Sequence, residues 1–168
     1  MTQRHIEVLA RAFKIAAGTV LAILIAQQFS LKNASSAGII ALLTILPTRQ
    51  KTFKLVVSRI ISFIVTLAVI FILKKTAVPP LTAYGILLFL ICAFVYSLKW
   101  DLTLSVNAVI GTHFFLSDAA FTPAFIANEA FLIIIGTTVA ALINLLMSDK
   151  EHILNKEIKA VEQKMTML

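Results

Sequence analysis

Six polar side chains are set in or beside otherwise apolar stretches of this chain: Arg49, Lys54, Arg59, Asn107, His113 and Asn144. Arg59 interrupts the apolar run Leu55 to Leu73. An arginine held in lipid is costly unless it pairs, faces water or snorkels to the interface. Arg59 therefore either snorkels or joins Arg49, Lys51 and Lys54 at the mouth of an anion pathway, since clusters of Arg and Lys are how pores favour anions. His113 follows Asn107 and Thr112 deep in another apolar run. It suits a hydrogen bond between helices, or a proton-coupling role, because imidazole is the side chain that ordinarily titrates near neutrality. Asn107 and Asn144 fit either helix-to-helix bonding or a substrate pathway. All six are pathway candidates, not catalytic ones. The eight carboxylates are scattered, the three histidines lie far apart in sequence, and there is no phosphate-binding glycine loop, nucleophile motif or metal-ligand spacing. An enzyme is not expected, nor is a cofactor or a metal.

Six apolar runs must position these groups. Lys14 to Lys32 encloses 17 uncharged residues, Lys32 to Arg49 encloses 16, and Leu55 to Leu73 is apolar except for Arg59. Thr76 to Leu98 gives 23, Leu102 to Ser117 gives 16 and Ala130 to Ser148 gives 19. A helix needs about 20 apolar residues to cross a hydrocarbon layer of about 30 Å. Lipid offers no hydrogen bonds to open backbone, so each run is expected to close its own as a helix. The fold expected is all-α: a polytopic membrane protein with six transmembrane helices over residues 15–148. Counting loops alternately, 12 lysines and arginines fall on one side and only Lys32, Lys74 and Lys75 on the other. Cytoplasmic loops carry the excess of Lys and Arg, so both termini are expected in the cytoplasm. The same placement accounts for the net charge of +7 without a nucleic-acid partner.

Residues 1–14 form an amphipathic cytoplasmic leader that lies along the interface or extends the first helix. Glu7, Arg11 and Lys14 lead straight into the first run with no small-x-small site after Phe29, so an uncleaved anchor is expected. Pro47 should close the second helix, because proline lacks the N–H that a helix interior needs. Pro79-Pro80 should mark the turn before the fourth. The connection from Asp118 to Glu129 is expected to lie on the membrane surface. Gly18, Ala22 and Ala26, and likewise Gly136, Ala140 and Asn144, form stripes along which membrane helices can pack closely. The second and fifth runs are the shortest and each is central in a group of three, which points to a three-plus-three inverted arrangement. After Ser148, Leu154, Ile158, Val161, Met165 and Leu168 recur at alternating spacings of 4 and 3, the seam of a short amphipathic or dimer-forming helix over residues 149–168. The lone cysteine, Cys92, falls in the fourth run, where packing is its expected role.

The run Arg11-Ala-Phe-Lys14-Ile-Ala-Ala-Gly18 resembles the start of the membrane domain in the bacterial aromatic acid exporter family. So do Pro47-Thr48 leading through a basic loop to Arg59, the stretch Asn107-Ala-Val-Ile-Gly-Thr-His113, and Gly136 to Met147. That family is grouped with fusaric acid resistance proteins and, distantly, with plant aluminium-activated malate transporters. The resemblance runs from about Arg11 to Met147. It implies a multi-pass protein of the bacterial plasma membrane, surrounded by lipid, that exports aromatic carboxylates or other organic anions; the Leu154 to Leu168 seam and the Gly18 and Gly136 stripes point to a homodimer or larger homo-oligomer. Residues 149–168 would be the stub of the family's cytoplasmic domain. A non-transporting assembly module and a passive anion channel are the alternative functions.

Overall fold

The computed structural model describes residues 3–45, 49–116 and 121–146. Among the described residues every regular element is helical: α1 (Gln3–Gln28), α2 (Ser35–Thr44), α3 (Arg49–Lys74), α4 (Pro80–Ser97), α5 (Leu104–Phe115) and α6 (Pro123–Leu146), with a 3-10 turn at Asp101–Thr103 before α5. From Gln3 on, the leader is continuous with the first helix, the second of the two arrangements expected of it. Residues 149–168, with their coiled-coil seam, lie outside the described residues.

Among the described residues, three helices are long and apolar enough to cross a membrane: Lys54–Lys74, Pro80–Ser97 and Pro123–Asn144. The apolar part of α1, Ala12–Gln28, is shorter, and at 1.5 Å per residue it reaches about 26 Å. By the same rise α2, with 10 residues, reaches about 15 Å, and α5, with 12, about 18 Å. The described residues hold six α-helices, but α2 and α5 are about half the length of a span. The sixth helix also starts earlier than its apolar run. Pro123 opens α6, as proline suits a first helical turn whose N–H needs no helix partner, so Phe125, Ile126 and Glu129 lie in α6 and not in a surface connection.

Side-chain contacts show that successive helices run in alternating directions. Ser36, at the start of α2, meets His113 in the last turn of α5 and, through it, Glu129 near the start of α6. Thr44, at the end of α2, meets Arg59 near the start of α3 and Asn144 near the end of α6. The bundle therefore has two poles. The first carries Lys32, Lys74 and Lys75 with the His113 cluster. The second carries Lys54, Lys99 and Arg59.

Helices α1, α2 and α6 pack on one another as a triplet, and α3, α4 and α5 as another. Small residues set the spacing in the first. A Cβ on Gly136 would fall 2.6 Å from the Ala37 carbonyl oxygen, and one on Gly38 would fall 2.5 Å from Ile23 Cγ1. Ala22 and Ala26 are fully buried in the same seam. In the second triplet, Gly111 on α5 lets Leu87 and Tyr84 of α4 approach, and the Tyr84 hydroxyl donates to the Ala108 carbonyl at 3.4 Å. The pairs α1–α2, α2–α6 and α1–α6 have counterparts in α4–α5, α5–α3 and α4–α3. Helices α1 and α4 even end alike. Ser30 (φ 51°) and Lys99 (φ 57°) each adopt the left-handed conformation, with Leu31 N–H bonded to Ala26 O and Trp100 N–H to Val95 O, the pattern of a Schellman stop.

Large apolar side chains cover the outside of the long helices, among them Phe13 (74% exposed), Ile64 (60%) and Phe89 (73%). Soluble monomers rarely expose contiguous apolar patches larger than a few hundred Å². The polar atoms are inside instead, with Ser58, Arg59, Ser62, Thr66, Asn107, Glu129, Thr137 and Asn144 all buried. An apolar exterior around a partly polar interior fits a molecule whose solvent is lipid.

Candidate functional site

The first cluster is built around the C-terminal end of α2. A helix leaves its last four carbonyls without helix partners, and α2 ends within the bundle. Ile45, extended at φ −68° and ψ 101°, returns its N–H to Ala41 O. Arg59 reaches across from α3 to the same end of the helix. Its Nη1 donates to Ile40 O at 3.3 Å and to the Thr44 hydroxyl, and its Nη2 donates to Leu43 O at 3.1 Å and to Leu102 O at 3.5 Å. Asn144 Nδ2 donates to Thr44 O at 3.4 Å. Arg59 is 1% exposed, and among the described residues no carboxylate pairs with it. Its positive charge instead faces the negative end of the α2 dipole. Arg59 thus turns inward, across to α2, and does not snorkel. The guanidinium fork makes this possible, because it sets two nitrogens apart, each against its own pair of acceptors, where an ammonium has one nitrogen only.

The second cluster lies at the opposite pole. His113 Nδ1 stands 2.8 Å from Glu129 Oε2, and its Nε2 stands 3.2 Å from Ser36 Oγ. Glu129 is 1% exposed, and its other oxygen accepts from Asn128 Nδ2 at 3.2 Å. Asn128 in turn clasps the turn between α1 and α2, accepting from Lys32 N–H at 2.8 Å and donating to Lys32 O at 3.1 Å. Four chain segments meet in this network: α2, α5, α6 and the α1–α2 turn.

The two clusters correspond. The same sequence distance separates Ser30 from Lys99, Ser35 from Leu104, Thr44 from His113 and Arg59 from Asn128, the neighbour of Glu129. At one pole a residue of α3 grips the end of α2, and at the other a residue of α6 grips the end of α5.

Of the six residues picked from the sequence, Arg59 and Asn144 converge on the end of α2, while His113 is held apart from them at the other pole. Asn107 is buried on α5 (2% exposed), and its Nδ2 has no hydrogen-bond partner. The Arg59 Nε is the other buried side-chain donor left without one among the described residues. Lys54 is exposed. Arg49 opens α3, and its side chain lies outside the described residues. Sequence reasoning missed Glu129, Ser36, Thr44 and Asn128. Glu129 sits one residue before an apolar run and looks like a loop end. The signal that could have found it is Pro123, a helix start six residues earlier.

The family model described as aromatic acid exporter family member 1 matches residues 6–147. A Bacillus subtilis (strain 168) protein, described as uncharacterized protein YqjA, is 31% identical over 158 residues. The match takes in 94% of this chain and 49% of that protein, so the chain spans about half the length of the curated relative. No solved structure matches it. Helices apolar on the outside, buried polar groups within them and a match over most of the chain agree: this membrane protein belongs to the aromatic acid exporter family.

Proposed function

We propose that the protein exports organic anions, aromatic carboxylates among them, across the bacterial plasma membrane, with both termini in the cytoplasm. The observation that carries this reading is the pair of buried donors without partners, Arg59 Nε on α3 and Asn107 Nδ2 on α5, on helices that pack against each other. A buried donor without a partner costs about 1–3 kcal/mol, and a carboxylate, which only accepts, is the ligand that would remove that cost.

In this reading α1–α3 and α4–α6 are inverted repeats that exchange their third helices to form the two triplets. The half-length helices α2 and α5 sit at their centres, where transporters place discontinuous helices around a substrate. All six helices are embedded in the membrane, α2 and α5 only part of the way across by their own length. Arg49, Lys51 and Lys54 gather anions at the cytoplasmic pole, Arg59 and Asn107 receive them, and Asn144 positions the end of α2. The protein works in a lipid bilayer as a homodimer joined through residues 149–168.

The test is efflux from proteoliposomes containing the full chain, loaded with benzoate or para-sulfobenzoate and corrected against protein-free vesicles. Saturable efflux that Asn107→Leu reduces at least tenfold, with the protein still folded, is the expected result. Efflux no faster than the protein-free control for every anion tried would overturn the reading.

A further inference from the structure

We propose that Glu129 and His113 form a proton-binding site at the seam between the two triplets, and that this proton drives the exporter. As a driving site it rests on the exporter reading; as a place where a proton binds it does not.

Glu129 is a buried carboxyl with no arginine or lysine partner among the described residues. Its hydrogen-bond partners are the His113 ring and the Asn128 amide. An ionisable residue held inside a membrane protein is expensive, and Glu–His chains of this kind are used as proton relays. Arg59, at the other pole, cannot serve. It is permanently charged, and its bonds go to carbonyls and a hydroxyl that take no proton.

The hydrogen bonds at His113 accommodate one proton more or less. With a single proton on the pair, Nδ1–H donates to Glu129 Oε2 and Nε2 accepts from the Ser36 hydroxyl. A second proton, taken from water at that pole, adds to Nε2. The new N–H then donates to Ser36 Oγ, and the hydroxyl hydrogen rotates away. The second proton can instead sit on a Glu129 oxygen. In each state the ring keeps both contacts, because a hydroxyl donates or accepts as required. No bond other than N–H or O–H forms or breaks.

Position gives the proton its leverage. His113 belongs to the α3–α4–α5 triplet, whereas Ser36 and Glu129 belong to the α1–α2–α6 triplet. Adding or removing one charge here changes how strongly one triplet holds the other, at the pole away from Arg59. The charged or titratable groups on the surrounding elements are few. The α1–α2 turn gives Lys32, whose backbone Asn128 clasps. The end of α3 gives Lys74, with Nζ 5.4 Å from the centre of the Phe115 ring, and Lys75, with Nζ 4.2 Å from that of Phe71. Helix α4 gives Tyr84, whose hydroxyl is bonded to α5. Helix α2 gives no titratable group, and Asp118 lies outside the described residues.

Two measurements test the site on the full chain in proteoliposomes. The first needs no substrate. The infrared difference spectrum between acidic and alkaline buffer should contain carboxyl and imidazole features that Glu129→Gln removes. Identical difference spectra for wild type and Glu129→Gln would overturn the proton site even if export were confirmed. The second uses para-sulfobenzoate, whose sulfonate keeps it from crossing lipid unaided. Uptake driven by a pH difference should fall at least tenfold in Glu129→Gln, while counterflow at equal pH falls less than threefold. Glu129→Asp should restore part of the driven uptake. Equal losses in both assays would make Glu129 a structural residue and overturn the coupling role. Failure of the wild type to move the anion at all defeats the exporter reading, and the infrared result still decides the proton site.

Discussion

The Arg59 guanidinium donates to the Thr44 hydroxyl, and through this contact a residue of one triplet caps the half-length helix at the heart of the other. Pairing by alternation of charge along the chain does not create such a contact. It exists because α2 stops short and leaves carbonyls that must be satisfied.

Replacing Arg59 should therefore unsettle α2 before anything else. Arg59→Gln should cost about 3 kcal/mol, since it leaves the buried Ile40 and Leu43 carbonyls without this donor. Arg59→Lys should cost less, because it keeps the charge opposite the α2 dipole but loses the fork. Melting in detergent should rank wild type above Lys above Gln, and anion flux at matched protein level should follow the same order. Equal flux per folded molecule in all three would make Arg59 a cap for α2 alone.

Close approach of α6 to α2 makes Gly136 and Gly85 opposites. Gly136→Ala should destabilise by about 1–3 kcal/mol, because the new methyl meets the Ala37 backbone carbonyl, which cannot swing aside. Gly85→Ala meets nothing within 4 Å. It should be neutral or gain up to about 1 kcal/mol from removing a glycine inside a helix. Thermal unfolding of the two variants side by side checks the contrast.

Ser30 holds a left-handed conformation that favours glycine. Ser30→Gly should raise stability by about 1 kcal/mol, since a side chain pays roughly that much to sit there. Lys99→Gly should show the same relief but also remove a charge from the second pole. A lower melting temperature for Ser30→Gly would count against the stop motif at the end of α1.

Orientation in the membrane is open to a direct check. Reporters fused after Lys14, Lys54, Lys99 and Lys150 should report cytoplasm, and those fused at Asn33 and Thr76 the outside, because basic residues concentrate on the first set of loops. An outside signal after Lys54 would invert the assignment of the two poles and move the Glu129 site to the cytoplasmic face.

The sequence alone determined that the chain is helical, roughly where its helices lie, although α1, α3 and α6 each begin well ahead of their apolar runs, and that its exterior is apolar. Those properties follow from composition over windows of about 20 residues, the scale on which lipid selects a segment. The small-residue stripes were also legible, since Gly18 and Gly136 advertise close packing wherever their partners are. Pro79-Pro80 announced the start of α4, whereas Pro47, expected to close α2, lies outside the described residues and α2 ends at Thr44; the shortness of α2 and α5 was visible only as the lower end of a range. What the tertiary structure decided was direction and partnership. The sequence left Arg59 free to snorkel or to face an anion, and it took the Leu43 carbonyl at the end of α2, 16 residues away in the chain, to turn it inward. It left Glu129 at the edge of a loop, and it took the early start of α6 to bury that carboxyl against His113 on α5. Neither contact has a local signature, because each depends on which helices are neighbours, and that is settled by the summed packing of all six.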